Sequence, residues 1–296
     1  MLKAILVVTI LVLDLGPVER AYQTELDYSV VERGRISDTL AESWDADRLG
    51  GRRYILMQPT SREPVYLRFI RDPAGRHYQA MQTEGWNAVE ILVQDPDALA
   101  QKLATSKYFS IVGPPRYLTE KKNIKAMQLI GPANELLYLT RIASPEKSGF
   151  GLQGARSYVD RVFIMVVGAR DFAGLTTFYR EQLAMPVTDP LLYRIGVLSD
   201  AHGLEPETKH QIAIARISDR FLVELDQYPD SAAPAVTTSG ELPAGVAMVS
   251  FIVDEFAPGL PFLRAPRRHQ VQPYAGRSAA TLIGPAGEYI ELVKSE

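Results

Sequence analysis

The sequence contains no cysteine. This absence excludes disulfide bonds, thiolate metal sites and a cysteine nucleophile, and it fits a reducing cytoplasm, which we take as the expected location. A surplus of basic residues is also lacking, because 32 Lys and Arg stand against 35 Asp and Glu, for a net charge of −3. Nucleic-acid binding therefore has no electrostatic support.

Long apolar runs are absent as well. The run from Ala4 to Leu13 ends at Asp14, well short of the roughly 20 residues that a membrane-spanning helix needs. Lys3 before the run resembles the start of a signal peptide, but no small-x-small cleavage site follows. The Val, Ile and Leu content favours a buried strand. We therefore predict no membrane partner.

What the sequence does contain is an internal repeat. The segment Gly131-Pro-Ala-Asn-Glu-Leu-Leu-Tyr-Leu139 returns as Gly284-Pro-Ala-Gly-Glu-Tyr-Ile-Glu-Leu292, 284 − 131 = 153 residues later. Two further matches share a similar offset: Tyr22 with Tyr179, and 89–95 with 249–255. A period of this size indicates duplicated domains, and a chain of 296 residues has room for two.

Each half of the chain divides again into two similar parts. A β-rich run is followed by an acidic residue, a stretch with helical apolar spacing, and shorter strand-like runs. The four β-rich runs are Ala4–Leu13, Ala88–Val93, Val162–Val167 and Met248–Val253. We predict an α+β protein of four β-α-β-β-β modules, at about 1–75, 84–143, 158–229 and 244–296. Consecutive modules are expected to pair into two half-open curved-sheet barrels, an N-terminal domain at 1–143 and a C-terminal domain at 158–296.

These features resemble the vicinal oxygen chelate superfamily, which includes glyoxalase I, bleomycin-resistance proteins and extradiol dioxygenases. Two signatures carry the resemblance: a strand, an Asp and a helix ending in Phe-Tyr, here Asp171 to Phe178-Tyr179, and the final strand 284–292. The resemblance covers nearly the whole chain. It implies a structural or dimer-forming N-terminal domain and a working C-terminal domain, with a homodimer as an open alternative to a monomer.

The resemblance also implies metal positions in each module. One lies in the first strand, seven residues before the acidic residue, and one lies in the final strand. The first-strand positions are Val7, Ala88, Ile164 and Met248, none of which suits a hard metal ion. The final-strand positions are Arg68 or its neighbour Leu67, Tyr138, Glu224 and Glu291. Only two carboxylates remain, so we expect no metal and no other cofactor, although a divalent ion is not excluded.

The retained carboxylates define the predicted site. If Glu224 and Glu291 point into one apolar cavity, they cannot both ionise easily, and one can act as a general acid while the other acts as a base. His210, at the start of a strand in the third module, is a further acid/base candidate. Local hydrogen bonds, ion pairs or a surface position are the alternatives for all three. The predicted substrate-binding residues are Ile164, Met248, His269 and Arg277.

Two functions remain open at this point. The first is a metal-independent isomerase or lyase that acts on a small oxygenated acid, with aromatic-derived acids among the candidates. The second is a small-molecule binding protein without turnover, similar to the bleomycin-resistance branch. A metal-dependent extradiol dioxygenase is the less favoured third alternative.

Overall fold

Four β-α-β-β-β modules follow one another in the computed structural model, which describes residues 2–75, 78–143, 151–235 and 237–295. The first module comprises β1 (Leu2–Val12), α1 (Leu15–Glu25), β2 (Tyr28–Arg35), α2 (Asp38–Ser43), a 3₁₀ turn (Asp47–Leu49), β3 (Arg53–Pro59) and β4 (Tyr66–Arg71). The second comprises β5 (Gly85–Val93), α3 (Pro96–Leu103), β6 (Ser110–Tyr117), β7 (Ile124–Ile130) and β8 (Leu136–Ile142). The predicted α+β class and modular repeat are thus confirmed.

The second half repeats this order, except that a π-helical turn continues the first helix of the third module and the described part of the fourth module lacks a helix after its first strand. The third module comprises β9 (Val159–Ala169), α4 (Phe172–Thr177) continued by a π-helical turn (Phe178–Gln182), β10 (Leu191–Tyr193), α5 (Gly196–Ala201), β11 (His210–Arg216) and β12 (Leu222–Gln227). The fourth comprises β13 (Val246–Val253), β14 (Arg267–Arg268), β15 (Ser278–Ile283) and β16 (Tyr289–Lys294). The helix expected after β13 is missing, because Pro258, Pro261 and Pro266 interrupt the segment that would form it.

The modules pair differently from the prediction. The first sheet has the order β14-β15-β16-β13-β1-β4-β3-β2, so it joins the first module to the fourth. The second sheet has the order β10-β11-β12-β9-β5-β8-β7-β6 and joins the second module to the third. The predicted pairing of consecutive modules, in domains 1–143 and 158–296, is therefore wrong. A repeat shows that modules are alike, but each first strand presents an open edge that any other module can fill.

The seams of both sheets are formed by first strands. Strand β1 pairs antiparallel with β13, and β5 pairs antiparallel with β9. One face of each sheet packs into a shared apolar core with α1, α3 and α4, to which Tyr22, Leu99 and Leu175 belong. We call the opposite face of each sheet its cleft face. Helix α2 covers the cleft face of the first sheet, and α5 that of the second.

The acidic residue that follows a first strand caps the next helix in the first three modules. Asp14 accepts a hydrogen bond from the backbone N–H of Gly16 (3.0 Å), and Asp171 accepts one from Gly174 (2.9 Å). Asp95 accepts from the N–H groups of Asp97 and Ala98. These bonds satisfy donors that a helix start leaves unpaired, which explains why an acid recurs at this place.

The repeated Gly-Pro-Ala-x-Glu segments form the turns before the final strands. In the first copy the Glu135 side chain folds back and accepts hydrogen bonds from the Ala133 N–H (2.7 Å) and from the hydroxyl of Tyr22 (2.7 Å). A Cβ on Gly131 would lie 2.2 Å from Glu135 Oε1, so a larger residue there would displace the Glu135 carboxyl group. Burial raises the pKa of Glu135 to about 7.

The second copy repeats this arrangement. Glu288 accepts a hydrogen bond from the Ala286 N–H (2.8 Å), and a Cβ on Gly284 would lie 2.1 Å from Glu288 Oε1. Burial raises the pKa of Glu288 to about 8, with Tyr179 beside it. The Phe-Tyr helix and the Gly-Pro turn, which looked like separate motifs in the sequence, therefore contact each other across module boundaries.

Candidate functional site

In each module, one residue of the first strand and one of the final strand lie side by side at the centre of the cleft face. Each pair joins a first-strand residue to a final-strand residue on the neighbouring parallel strand. The pairs are Thr9 with Arg68, Glu90 with Tyr138, Val166 with Glu224, and Ser250 with Glu291. The first-strand member lies five residues before the helix-capping acid, as 14 − 9, 95 − 90 and 171 − 166 show.

These ladder partners lie two residues beyond the positions that the seven-residue spacing selects. Because side chains alternate along a strand, a shift of two keeps the residue on the same face but moves it to the next rung of the ladder. The ladder-partner positions hold polar side chains in three of the four modules. The most consequential of them is Glu90, the only charged residue in the otherwise apolar run 88–93.

In the first sheet these positions are closed by packing. Glu291 is fully buried and accepts hydrogen bonds from Trp44 Nε1 (2.8 Å), Ser250 Oγ (2.5 Å) and the Tyr274 hydroxyl (2.9 Å to Oε2). Arg68 donates to the same Tyr274 hydroxyl from both terminal nitrogens (3.1 Å each).

Aromatic rings fill the remaining space of this face. The Arg68 guanidinium carbon lies 5.2 Å from the Trp44 ring centre and 5.3 Å from that of Tyr274. Trp44 follows α2, and Tyr274 lies between β14 and β15, so residues distant in sequence cover Glu291. We call this group, Arg68, Trp44, Ser250, Tyr274 and Glu291, the closed cluster.

Three predicted substrate-binding residues lie around the closed cluster. His269 is buried with its ring centre 5.2 Å from that of Tyr274, and burial lowers its pKa. Arg277 donates to the backbone carbonyls of Tyr274 (2.8 Å) and Pro273, so its guanidinium holds a loop. Met248 is fully buried in the core of this face. None of the three lines a cavity together with Glu224.

In the second sheet the corresponding positions form a carboxyl cluster. Glu90 on β5 is joined on the cleft face by Glu224 and Asp226, two residues apart on β12. Glu90 is 6% exposed and Asp226 1%, whereas Glu224 is partly exposed. In the described part of the chain, none of the three forms an ion pair. We call Glu90, Glu224 and Asp226 the carboxyl cluster.

The proton affinities of the carboxyl cluster are raised. Burial, and then the charge of Glu224, raise the pKa of Glu90 to about 8, while a hydrogen bond from Thr140 (3.1 Å) opposes the shift. Burial raises the pKa of Glu224 to about 7. The pKa of Asp226 is raised by burial and by both neighbouring glutamates. Near neutral pH the cluster therefore holds protons that isolated carboxylates would have lost.

The combination of Glu224, Glu291 and His210 predicted from the sequence is not formed. Glu291 lies in the other sheet. His210 shares the cleft face with Glu224, but it lies four residues along β11 from Ile214, the ladder partner of Glu224. At about 3.3 Å per residue this separates them by about 13 Å.

His210 has a local environment instead. Its Nε2 is 3.3 Å from the Ser199 hydroxyl on α5, and burial lowers its pKa. Ile164 is the one predicted substrate-binding residue near the carboxyl cluster, because it pairs with Glu90 across the seam of the second sheet.

A cavity of about 750 Å³ opens on the cleft face of the second sheet. Its lining is mainly apolar and includes Tyr78, Met81, Ile130, Leu136 and Val197. Leu136 lies two residues before Tyr138, the ladder partner of Glu90, on the same face of β8, so the cavity and the carboxyl cluster share this face. Such a volume suits a small organic molecule.

A smaller cavity of about 210 Å³ extends this space. It shares Val112, Val197 and Asp200 with the larger one and reaches Gln128, the ladder partner of Tyr138. Tyr193 on β10 bridges the cleft, since its hydroxyl is 3.4 Å from the backbone oxygen of Leu118. Its pKa is raised by burial, lowered by Arg116, and raised by the charges of Glu224 and Glu90. Tyr193 therefore spans the cleft from the strand position opposite His210.

Three of the four central positions of the second sheet carry oxygen atoms that could bind a metal, in Glu90, Glu224 and Tyr138. The fourth position is Val166, which has none. Among the described residues, no group of three or more His, Asp or Glu side chains has the geometry of a metal site. A divalent ion takes three or four converging ligands, which this arrangement of side chains does not supply.

Comparisons with known proteins identify the fold. Glyoxalase I from Zea mays superposes with a TM-score of 0.64 at 14% identity, over 99% of this chain and 92% of the other. A candidate dioxygenase from Bacillus subtilis gives 0.60 at 10% identity, over 99% and 85%. No family model and no curated protein matches the sequence. The chain thus has the fold of the vicinal oxygen chelate superfamily, as the two signatures predicted.

Among the described residues, no helix is long and apolar enough to cross a membrane.

Proposed function

We propose that the cleft of the second sheet is a small-molecule site in which Glu224 and Glu90 exchange a proton with the ligand. The observation that carries this proposal is that two glutamates, from the central positions of two different modules, share one cleft face, on which a cavity of about 750 Å³ also opens. Glu291, which the sequence suggested as a partner of Glu224, is assigned to the closed cluster and to stability.

The chemistry follows from coupled ionisation. Of the two pKa values, about 8 for Glu90 and about 7 for Glu224, neither belongs to an ordinary carboxylate. Because both pKa values are raised, a protonated carboxyl persists near neutral pH and can donate to a ligand oxygen, while an ionised one can remove a proton from carbon or oxygen. Glu224 is the better placed to touch the ligand, because it is the more exposed of the two.

The reaction class that uses these groups is proton transfer without a redox step. We therefore favour a metal-independent isomerase or lyase that acts on a small oxygenated acid. Tyr138 and Tyr193 supply phenol hydroxyls within the electrostatic range of Glu224, and Arg116 near Tyr193 can attract an anionic substrate. A cytoplasmic location and a homodimer remain predictions from the sequence.

A binding protein without turnover is the second candidate. The mainly apolar lining of the larger cavity favours it, because apolar walls bind a ligand without activating it. In this case a protonated carboxyl of the cluster serves only as a hydrogen-bond donor.

The test compares turnover and affinity in one variant. Small oxygenated acids are first screened for binding by thermal shift, and each hit is followed for conversion by NMR. If the protein is an enzyme, we expect Glu224→Gln to lower kcat by about 100-fold or more while the Kd changes only a few-fold. If it is a binding protein, the wild type converts no hit and Glu224→Gln changes the Kd alone.

Glu205→Gln is the matched control, since Glu205 is an exposed glutamate of the same module. A Glu224→Gln variant that matches wild type in both turnover and affinity would refute the proposed site.

A further inference from the structure

A second charged group lies away from the cleft, at a junction between the two sheets. It is built by the start of β9, the turn between β11 and β12, and the loop between β3 and β4. Its members are Glu63, Arg156, Asp160, Arg161 and Arg220. We call this group the arginine junction. It plays no part in the proposed proton transfer.

Most of the arginine junction is paired. Glu63 forms ion pairs through both carboxylate oxygens. Oε1 contacts Arg156 Nη1, and Oε2 lies 2.7 Å from Arg220 Nη2. Burial works against ionisation of Glu63, but the hydrogen bonds from Arg220 and Arg156 lower its pKa below the usual range. Asp160 accepts from the backbone N–H of Arg156 (2.7 Å) and from the Ser61 hydroxyl.

Arg161 is the exception. It is 0% exposed, and its one contact with an acid is a long one, 3.4 Å from Nη1 to Asp160 Oδ2. Among the described residues, its Nε and Nη2 have no hydrogen-bond partner, and neither has Nε of Arg220. The Nε–Nη2 edge of a guanidinium is a fork that suits a planar or spherical anion. A buried donor without a partner destabilises the folded protein, and a charged one does so more strongly.

The guanidinium groups of Arg161 and Arg220 lie beside the same aromatic ring. The Arg161 and Arg220 guanidinium carbons lie 5.6 Å and 5.7 Å from the ring centre of Phe221. Burial is the largest cause that lowers the pKa of Arg161, and the neighbouring charge of Arg220 is the next. Two like charges are thus held close together with unused N–H groups.

The charges of the junction do not cancel. Three arginines meet two carboxylates, which leaves one positive charge in surroundings where Arg161 is fully buried. A single monovalent anion would neutralise this surplus and could accept hydrogen bonds from these unused nitrogen donors.

We propose that the arginine junction binds one small monovalent anion, chloride or a simple carboxylate, between Arg161 and Arg220. The anion ties the first module to the third, because Glu63 belongs to the first and both arginines belong to the third. It therefore stabilises the contact between the two sheets and leaves the cleft unchanged.

The test uses the intact protein in the sodium salt of a bulky sulfonate buffer, which carries no carboxylate, with halide or formate exchanged in at constant ionic strength. We expect the unfolding temperature to rise in a saturable way, by roughly 5 °C when the anion reaches about 100 times its Kd. A stronger response to chloride and bromide than to formate would identify a halide site, and the reverse would identify a carboxylate site. Arg161→Gln should abolish the rise.

Arg170→Gln is the matched control, since Arg170 pairs with Glu84 at the surface and should leave the rise intact. A crystal grown in bromide covers the case in which Arg161→Gln fails to fold, because an anomalous peak is expected within about 3.5 Å of Arg161 Nη2. Water alone at that place, together with no saturable response to any of the anions, would overturn the proposal.

Discussion

Glu90→Gln is expected to raise the free energy of unfolding at pH 9 by at most about 5 kcal/mol and to leave it nearly unchanged at pH 4. The pKa of Glu90 is raised from 4.5 to about 8 in the folded protein, mainly by burial. Between these two values the unfolded chain has lost the proton that the folded protein still binds. Stability therefore falls as the pH rises from about 4.5 to about 8, and it stays reduced above that.

Glutamine abolishes this dependence because it resembles the protonated acid and cannot ionise. The measurement is urea unfolding at a series of pH values, with Glu205→Gln as the control for loss of an ordinary surface carboxylate. Unfolding curves of Glu90→Gln that run parallel to those of wild type from pH 4 to pH 9 would show that Glu90 ionises normally, and the carboxyl cluster would then lose its chemical basis.

Arg68→Met is expected to lower the free energy of unfolding by about 3–5 kcal/mol, the usual cost of removing one partner from a buried charged pair. Arg68 and Glu291 are both fully buried and share the Tyr274 hydroxyl. Without Arg68, the carboxylate of Glu291 keeps its three hydrogen-bond donors but loses the only buried cation that lies beside it in the closed cluster.

The double variant Arg68→Met/Glu291→Leu distinguishes charge from packing. It should recover much of the loss, because apolar residues of similar volume often replace a buried ion pair without cost. Ligand affinity of the second sheet should be unchanged in both variants, since the closed cluster lies in the first. A loss below about 1 kcal/mol in Arg68→Met would mean that water reaches Glu291 and that the first sheet has an open site after all.

The sequence predicted the modules but not their partners. The repeats at 131–139 and 284–292 mark the same turn and final strand twice, and a local pattern of this kind follows directly from side-chain alternation and turn chemistry. The choice between β1–β5 and β1–β13 pairing has no local signal, because all the first strands are apolar runs of similar composition. It depends on the shared core, in which residues as distant as Tyr22 and Glu135 meet.

The candidate site was predicted in part for the same reason. The final strands that carry Arg68, Tyr138, Glu224 and Glu291 could be predicted because they repeat along the chain. Glu90 was missed by two residues, although a single glutamate among apolar neighbours in a buried strand was a visible signal. The burial of Glu291 by Trp44 and Tyr274 could not be foreseen, because both side chains come from loops and helix ends far from it in sequence.

The most direct test of the account is a titration of the glutamate carboxyl groups by ¹³C NMR, with Glu90→Gln and Glu224→Gln used to assign the signals. We predict that Glu90 and Glu224 titrate as a coupled pair between about pH 6 and pH 9, and that the remaining signal shifts toward lower pH when either partner is replaced. Titration of both groups near pH 4.5, independent of each other, would contradict the proposed proton-exchanging site.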